Sequence, residues 1–406
     1  MIWQERLPVE VLAAAMALLA APLIADLLVS LAGNLRRPRA RHAASPRAIR
    51  LAVVVPAHNE ETMLAGTVRS LLASGCVAAE APLINEWRPR IFVVAHNCTD
   101  ATSAVAAQAG ARVIKLGDPG IRGKGAALRA GFRAALAAGA NAFLVVDADS
   151  TVSGNIIAAT SAALASGAAA TQCRYELQPA QPGPVGALAR LRMLAFRGMN
   201  VLRARGRAGL GFSAGVFGNG FALTAETLDR VPYAMDSICE DLEYHVWLVL
   251  AGLRVAWVEE ACVHAPLAPA RAAQSQQEAR WEGGRFHVAV HATSRLLRAV
   301  FAGHWRALEV LAEVWSLPLS RGVLALGLMA LMPVFWLHVV AVTGAAVVAV
   351  YVIEAALLGD QPWRDLAALA GAPVHILRKL VITPLVLRQS RRGAEWARTR
   401  REARSQ

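Results

Sequence analysis

Two kinds of hydrophobic pattern divide this chain of 406 residues. Towards each end apolar positions run on with no periodicity, as in "VLAAAMALLAAPLIADLLVSLA" at residues 11–32 and the stretch 322–358. Crossing a hydrocarbon core takes about 20 residues, so the first run spans a membrane once, with Pro22 and Asp26 as imperfections. The second is too long for one straight crossing. It is expected to fold back as a hairpin near Thr343 and Gly344, giving three crossings. Glu354 then falls near the end of the last one, where an ionisable group is less costly than at mid-membrane.

Between about 50 and 265, short β-branched runs alternate with helical stretches. Strands are predicted at 51–55, 91–95, 112–116 and 143–147, and helices near 60–74, 100–109, 124–138 and 154–166. That rhythm predicts an α/β domain with a mostly parallel, Rossmann-like sheet flanked by helices. "ICEDLEYHVWLVLAGLRVAW", residues 238–257, reads as one apolar-faced helix. Segments 184–207, 286–315 and 364–388 read as amphipathic helices near lipid headgroups or the acceptor.

Composition strengthens the membrane reading, since 56% of the residues are apolar. A signal peptide has an apolar region of only about 7–15 residues, so the first run is taken as a retained anchor. Its flank, "NLRRPRARHAASPRAIR", holds Arg36, Arg37, Arg39, Arg41, Arg47 and Arg50 and no acid. The positive-inside rule then puts the α/β domain in the cytosol, on a multi-pass protein of the inner (plasma) membrane. The net charge of +13 comes largely from this flank and the Arg-rich tail 388–404. Beside apolar spans such clusters meet anionic lipid, so nucleic acid is not expected as a partner. Five cysteines form no C-x-x-C pair, which argues against a zinc knuckle or disulfide framework and suits a reducing compartment. The expected layout is an anchor at 1–35, a basic linker at 36–50 and a catalytic domain at 51–285. Interfacial helices at 286–321, a transmembrane hairpin at 322–358 and an interfacial helix with basic tail at 359–406 complete it.

Chemistry collects after the strands, as "PAHNEE", "HNCTDAT", "GDPGIRGKGAAL" and "DADS". In open α/β sheets ligands bind off those carboxyl ends. Gly123, Lys124 and Gly125 at a helix start offer N–H groups and a cation, either an anion grip or an ordinary loop. Asp147 and Asp149 alternate on a strand, so both can reach one hard cation such as Mg²⁺ or Mn²⁺; otherwise they are two solvated loop carboxylates. Glu240 and Asp241 suit a helix start by the macrodipole alone, or supply a general base. Gln277, Arg280 and Trp281 cluster on a helix, where Arg can clamp pyrophosphate and Trp can stack on a sugar, or both can anchor at a membrane surface. His264 either reaches a metal or is structural.

The series "VVVPAHNEE", "DAD", "CED" and "QEARW", in that order and flanked by membrane segments, resembles the membrane-bound family 2 glycosyltransferases. That group includes cellulose, hyaluronan and poly-N-acetylglucosamine synthases. The resemblance covers about residues 50–290. It implies a GT-A fold and inverting transfer of a sugar from a nucleotide sugar, usually a UDP-sugar, with a divalent metal. Pro56, Ala57, His58 and Glu60 match the segment that holds the nucleotide, and Lys124 matches the turn near the diphosphate. Asp147 and Asp149 match the D-x-D pair, which contacts the nucleotide and binds the metal. Asp241, with Glu240 beside it, matches the catalytic base. Gln277, Arg280 and Trp281 match the Q-x-x-R-W motif, and "FGNGFAL" (217–223) looks like the acceptor-side loop.

Three departures stand out. His96 replaces an Asp that often contacts uracil, Cys239 stands where many synthases have Thr, and the polymer synthases carry more membrane helices. The implied function is a membrane-anchored enzyme of cell-envelope or exopolysaccharide synthesis. Its partners are a nucleotide-sugar donor, a glycan or lipid-linked acceptor, and membrane lipids. The alternatives are a polyprenyl-phosphate glycosyltransferase and a non-catalytic nucleotide-sugar-binding subunit.

Overall fold

The computed structural model describes residues 2–36, 47–76, 87–118, 120, 123–179, 183–235, 237–267, 271–381, 383, 384 and 386. Arg37, Arg39 and Arg41 of the basic flank and the tail from Arg388 lie outside them. An N-terminal helix α1 (Ile2–Asn34) leads into β1 (Leu51–Ala57), α2 (Leu64–Ala73), β2 (Ile91–His96), α3 (Thr102–Gln108), β3 (Arg112–Leu116), α4 (Lys124–Ala137) and β4 (Ala142–Val145). These are the predicted strand–helix units. Along β1 and β2 alternate side chains enter opposite cores, Ala52, Val54, Phe92 and Val94 on one face and Val53, Val55, Ile91 and Val93 on the other. Burial on both faces explains why these strands read as unbroken apolar runs.

The chain continues through β5 (Thr151–Val152), α5 (Ile156–Ala165) and β6 (Ala170–Gln178). A long helix comes next, in which α6 (Ala187–Arg197) passes through a π-helical turn at Gly198–Leu202 into α7 (Arg203–Gly209). Then come β7 (Phe221–Thr224), α8 (Ala225–Arg230), α9 (Glu240–Leu250) and β8 (Val255–Pro266). The sheet order is β3-β2-β1-β4-β7-β6-β8-β5. The first four strands are parallel, as are β6 and β8, but β7 runs antiparallel to both β4 and β6, and β5 antiparallel to β8. The sheet is therefore mixed, less uniformly parallel than its first half predicts. The single helix expected over 238–257 stops at Leu250, where Gly252 turns the chain at φ 74° and 255–257 become strand.

The C-terminal part holds α10 (Arg271–Phe301), α11 (Ala307–Trp315), α12 (Leu319–Ala330), α13 (Phe335–Leu357), α14 (Pro362–Ala367), a short 3₁₀ turn and α15 (Ala372–Val381). Among the described residues α1, over Pro8–Asn34, and α13 are long and apolar enough to cross a membrane. α11 and α12 bend by 75° and together would make a third such segment. The expected turn at Thr343 and Gly344 is not there, because both lie inside α13. The chain breaks at 331–334 instead, where Pro333 removes a donor and cannot continue a helix. Thr343 satisfies its hydroxyl on the Val339 carbonyl at 2.7 Å, and Gly344 serves close packing, since a Cβ there would lie 2.7 Å from Leu326. Asp26 is no defect in α1: with Arg203 of α7 it forms an ion pair at 3.5 Å, both side chains about 5% exposed.

Candidate active site

Polar residues converge where β1, β2 and β4 end. Just beyond β1 and β2 stands an Asn in left-handed backbone, Asn59 at φ 55° and Asn97 at φ 50°, a conformation Asn tolerates better than most residues. Asn59 Oδ1 accepts from the Thr99 N–H at 2.7 Å, and Asn97 exchanges two 2.9 Å bonds with Asp118. His58 Nδ1 lies 2.7 Å from the His96 carbonyl oxygen, and the Glu60 N–H lies 2.7 Å from Thr102 Oγ1. The loops after β1, β2 and β3 are thus tied to one another.

β4 stops at Val145, so Asp147 and Asp149 stand in the turn beyond it and their alternation along a strand does not align them. The 217–223 loop does. Asn219, 1% exposed, accepts from the Asp147 N–H at 3.1 Å through Oδ1 and donates through Nδ2 to Ser150 Oγ at 2.9 Å. Ser150 Oγ donates in turn to Asp149 at 3.3 Å. Gln172 on β6 fixes the loop from behind, donating to the Asn219 carbonyl at 2.8 Å and accepting from the Phe217 N–H at 3.0 Å. The sequence pattern marks this loop but gives no role to Asn219 or Gln172. The available signal was an Asn between two glycines, a side chain that burial obliges to hydrogen-bond in full.

Lys124 opens α4 and joins the two halves of the site. Its ammonium donates to the Asp147 carboxylate and, at 2.6 Å, to the Gly218 carbonyl. Burial opposes its charge, but Asp147, Glu240 and Asp241 outweigh burial and hold its pKa above the ordinary value. Gly218, at φ 74°, leaves room for both partners: a Cβ there would lie 3.0 Å from Asp241 Oδ2 and 3.5 Å from Lys124 Nζ. Asp241 accepts from the Leu242 N–H at 2.8 Å. Burial raises the Asp241 pKa, although that N–H and Lys124 favour its charge. Burial, with Asp241 as like-charged neighbour, lifts Glu240 to about 7.

α10 brings Gln277, Arg280 and Trp281 to the same place. Cys239, buried at the start of α9, lies 3.6 Å from the Trp281 carbonyl, and Phe196 and Trp281 approach to 6.1 Å between ring centroids. Tyr175 meets Phe196 edge-on at 4.9 Å, completing an aromatic wall. Two further cavity-lining residues pin α10: Glu278 pairs with Arg192 at 2.6 Å and Lys379 at 2.8 Å, and Glu282 with Arg321 and Lys379, each at 2.8 Å.

One cavity of about 1990 Å³ is lined by every residue singled out for a role: Pro56, Ala57, His58, Glu60, His96, Lys124, Asp147, Asp149, Glu240, Asp241, Gln277, Arg280 and Trp281. His264 is not among its walls. It sits within β8, in register with Thr151 and Glu176, and its Nδ1 is 3.8 Å from Cys262 Sγ. All five cysteines are free.

A family model described as Glycosyltransferase like family 2 matches residues 46–284. No curated protein matches the chain. Among solved structures, the mannosyltransferase PcManGT from Pyrobaculum calidifontis, in complex with GDP-Man and Mn²⁺, aligns at a TM-score of 0.51 and 17% identity, covering 94% of this chain and 97% of that one. The glucosyl-3-phosphoglycerate synthase from Mycobacterium tuberculosis, in complex with Mn²⁺ and UDP-glucose, aligns at 0.41 and 21%, covering 61% of this chain and 79% of that one. The first of these shares the fold. With more than half its length in the family match, the chain belongs to glycosyltransferase family 2 and is a glycosyltransferase of GT-A fold.

Proposed function

We propose that this enzyme is membrane-anchored and moves a sugar, with inversion, from a nucleotide sugar to an acceptor hydroxyl. The observation that carries this reading is Lys124, which binds Asp147 on one side and the Gly218 carbonyl beside Asp241 on the other. A diphosphate seat and a base thereby share one cavity without sharing one carboxylate. Asp241 takes the proton of the acceptor hydroxyl, and its raised affinity for a proton suits that role. The anomeric carbon is attacked on the face opposite the leaving diphosphate. Lys124 and Arg280 meet the charge that develops on that diphosphate, and Gln277 and Trp281 orient the sugar. Pro56, Ala57, His58, Glu60 and His96 form the nucleotide's wall.

The residues fit a divalent cation. Four carboxylates, of Asp147, Asp149, Glu240 and Asp241, line the same cavity as the cations of Lys124 and Arg280. Among the described residues no three His, Cys, Asp or Glu side chains form a complete metal cage. A Mg²⁺ or Mn²⁺ held by one or two carboxylates, with substrate phosphate and water filling the other positions, needs no such cage. Asp149 and Asp147 would hold it. When bound, such an ion neutralises charge on the departing diphosphate.

A UDP-sugar is the proposed donor, by the resemblance to the synthases. The solved relative with GDP-Man makes GDP-mannose the competing donor. The apolar α1 and α13, and the basic flank after α1, support a plasma-membrane enzyme with a cytosolic catalytic domain that builds a cell-envelope or exopolysaccharide glycan. Isothermal titration with UDP and Mn²⁺ tests the division of roles. Asp241→Asn should keep donor binding and abolish transfer, whereas Asp149→Ala should weaken metal-dependent binding. Equal loss of binding in both would defeat it, and titration with GDP decides the nucleotide base.

A further inference from the structure

The cavity does not end at the catalytic residues. Its walls also include Phe196 and Met199 and, on the apolar helices, Leu23 and Leu27 of α1, Leu326 of α12, and Val348 and Val352 of α13. Asp26, Arg203 and Glu313 also line it and pair with one another, so their charges are largely cancelled. A passage for a growing polysaccharide would set hydrogen-bonding groups along its length, because sugar hydroxyls left without partners are costly to bury. Here hydrocarbon dominates, and the polar side chains that also line the cavity are largely taken up, Tyr351 by the Gly198 carbonyl and Arg192, Glu278, Glu282 and Lys379 by ion pairs.

At the junction stands Arg285 on α10. It lines the cavity, donates to the Ser316 carbonyl at 3.3 Å, and makes no ion pair among the described residues. Its neighbour Gly284 packs so closely on Cys239, two residues before Asp241, that a Cβ would lie 2.4 Å from the sulfur, so this guanidinium with donors to spare suits the polar head of an amphiphile. The chamber is bordered by α1 and α13, the two helices that can cross a membrane.

We infer that the acceptor is a membrane amphiphile with a hydroxyl in its head, whose apolar chain occupies the chamber between α1, α12 and α13 while Arg285 holds the head near Asp241. The inference rests on the glycosyltransferase reading of the site and names its acceptor class. In the step the head's oxygen forms a bond to the anomeric carbon and its proton passes to Asp241. The bond from that carbon to the diphosphate oxygen breaks, and the electron pair leaves with the nucleoside diphosphate.

Gly327 gives a clean test. It lines the chamber from α12, and a Cβ built on it meets nothing within 4 Å. Gly327→Phe therefore starts its side chain in open space and puts a ring into the chamber, and Gly327→Ala controls for loss of the glycine. Ala349→Phe, from α13, provides a second plug. The full chain is reconstituted in phosphatidylethanolamine and phosphatidylglycerol vesicles doped with a diacylglycerol carrying a diazirine at the end of one chain, and the cross-linked positions are mapped. Leu326 and Val348, 4% and 8% exposed, are shielded from surrounding lipid and should be labelled only from within. Labelling there should fall several-fold in either Phe variant and persist in Gly327→Ala, with UDP or GDP binding unchanged in all three. Labels confined to exposed positions such as Val350, or unchanged in both plugged variants, would overturn the inference. Absence of nucleotide binding in the unmodified chain would instead sink the donor-site reading, whatever the lipid labels show.

Discussion

Asp26 in the apolar N-terminal helix lies 3.5 Å from Arg203, whose guanidinium also holds Glu313 of α11 at 3.1 Å. Glu313 in turn meets Arg207 at 2.5 Å and the His245 ring, on the helix that carries Asp241, at 3.4 Å. The apolar N-terminal helix and the helix that carries Asp241 are therefore joined by one buried chain of ion pairs that ends on His245.

Removing one member of a buried ion pair costs about 3–5 kcal/mol, because its partner stays behind uncompensated. Glu313→Gln removes the carboxylate that Arg207 and Arg203 share and should cost in that range. Asp26→Asn leaves Arg203 with Glu313 and should cost clearly less. Thermal unfolding in detergent at fixed pH checks the ordering, and equal losses would contradict it.

Lys124→Met removes the cation between Asp147 and the Gly218 carbonyl. By comparison with loss of a preorganised donor to transition-state charge, kcat should fall by about 100- to 1000-fold. Lys124→Arg should not restore it, since a planar guanidinium cannot reproduce a compact ammonium between two close acceptors. Initial rates at saturating donor decide the matter; a variant that changes only the donor KM would limit Lys124 to binding.

Glu240 yields a pH prediction with a definite sign. Its carboxyl goes from an ordinary 4.5 to about 7 in the folded chain, so between those values the native state holds more protons than the unfolded state. Stability must therefore fall as pH rises through that window. Glu240→Gln removes the penalty. Its melting temperature should match the parent below about pH 4.5 and exceed it above about pH 7. Parallel curves across the window would refute the assignment.

Gly218→Ala places a methyl 3.0 Å from the Asp241 carboxylate at φ 74°. Gly252→Ala meets the same φ with nothing within 4 Å. Both should lose roughly 1–2 kcal/mol to left-handed backbone strain. Only Gly218→Ala should also lose turnover, and assaying the pair side by side separates strain from displacement of the base.

Much of the catalytic domain is legible in the sequence because its strands are buried on both faces and its helices are punctuated. Each of the first four strands starts within a residue of its predicted position, and Lys124 begins its helix as expected. The motif residues reach one cavity because most of them end a strand, follow one or open a helix, while Gln277, Arg280 and Trp281 come in on α10. What stays hidden depends on partners distant in sequence. The alignment of Asp147 with Asp149 rests on Asn219, about seventy residues on, which no strand period reveals. Asp26 looks like a flaw in a span because Arg203 lies 177 positions away. Gly344 suggests a turn, as glycine does where water is the surrounding medium, while Pro333 is inconspicuous inside an apolar run. The reversal of β7 has the same origin, since direction in a sheet is settled by neighbours and not by a strand's own residues.

α10 carries Gln277, Arg280 and Trp281 and runs unbroken for 31 residues, about 46 Å at 1.5 Å per residue. Near the site it is riveted through Glu278 and Glu282 to helices that pack around the chamber. Any displacement of those helices is therefore passed to Gln277, Arg280 and Trp281, which ride on the same turns of α10 as the two carboxylates.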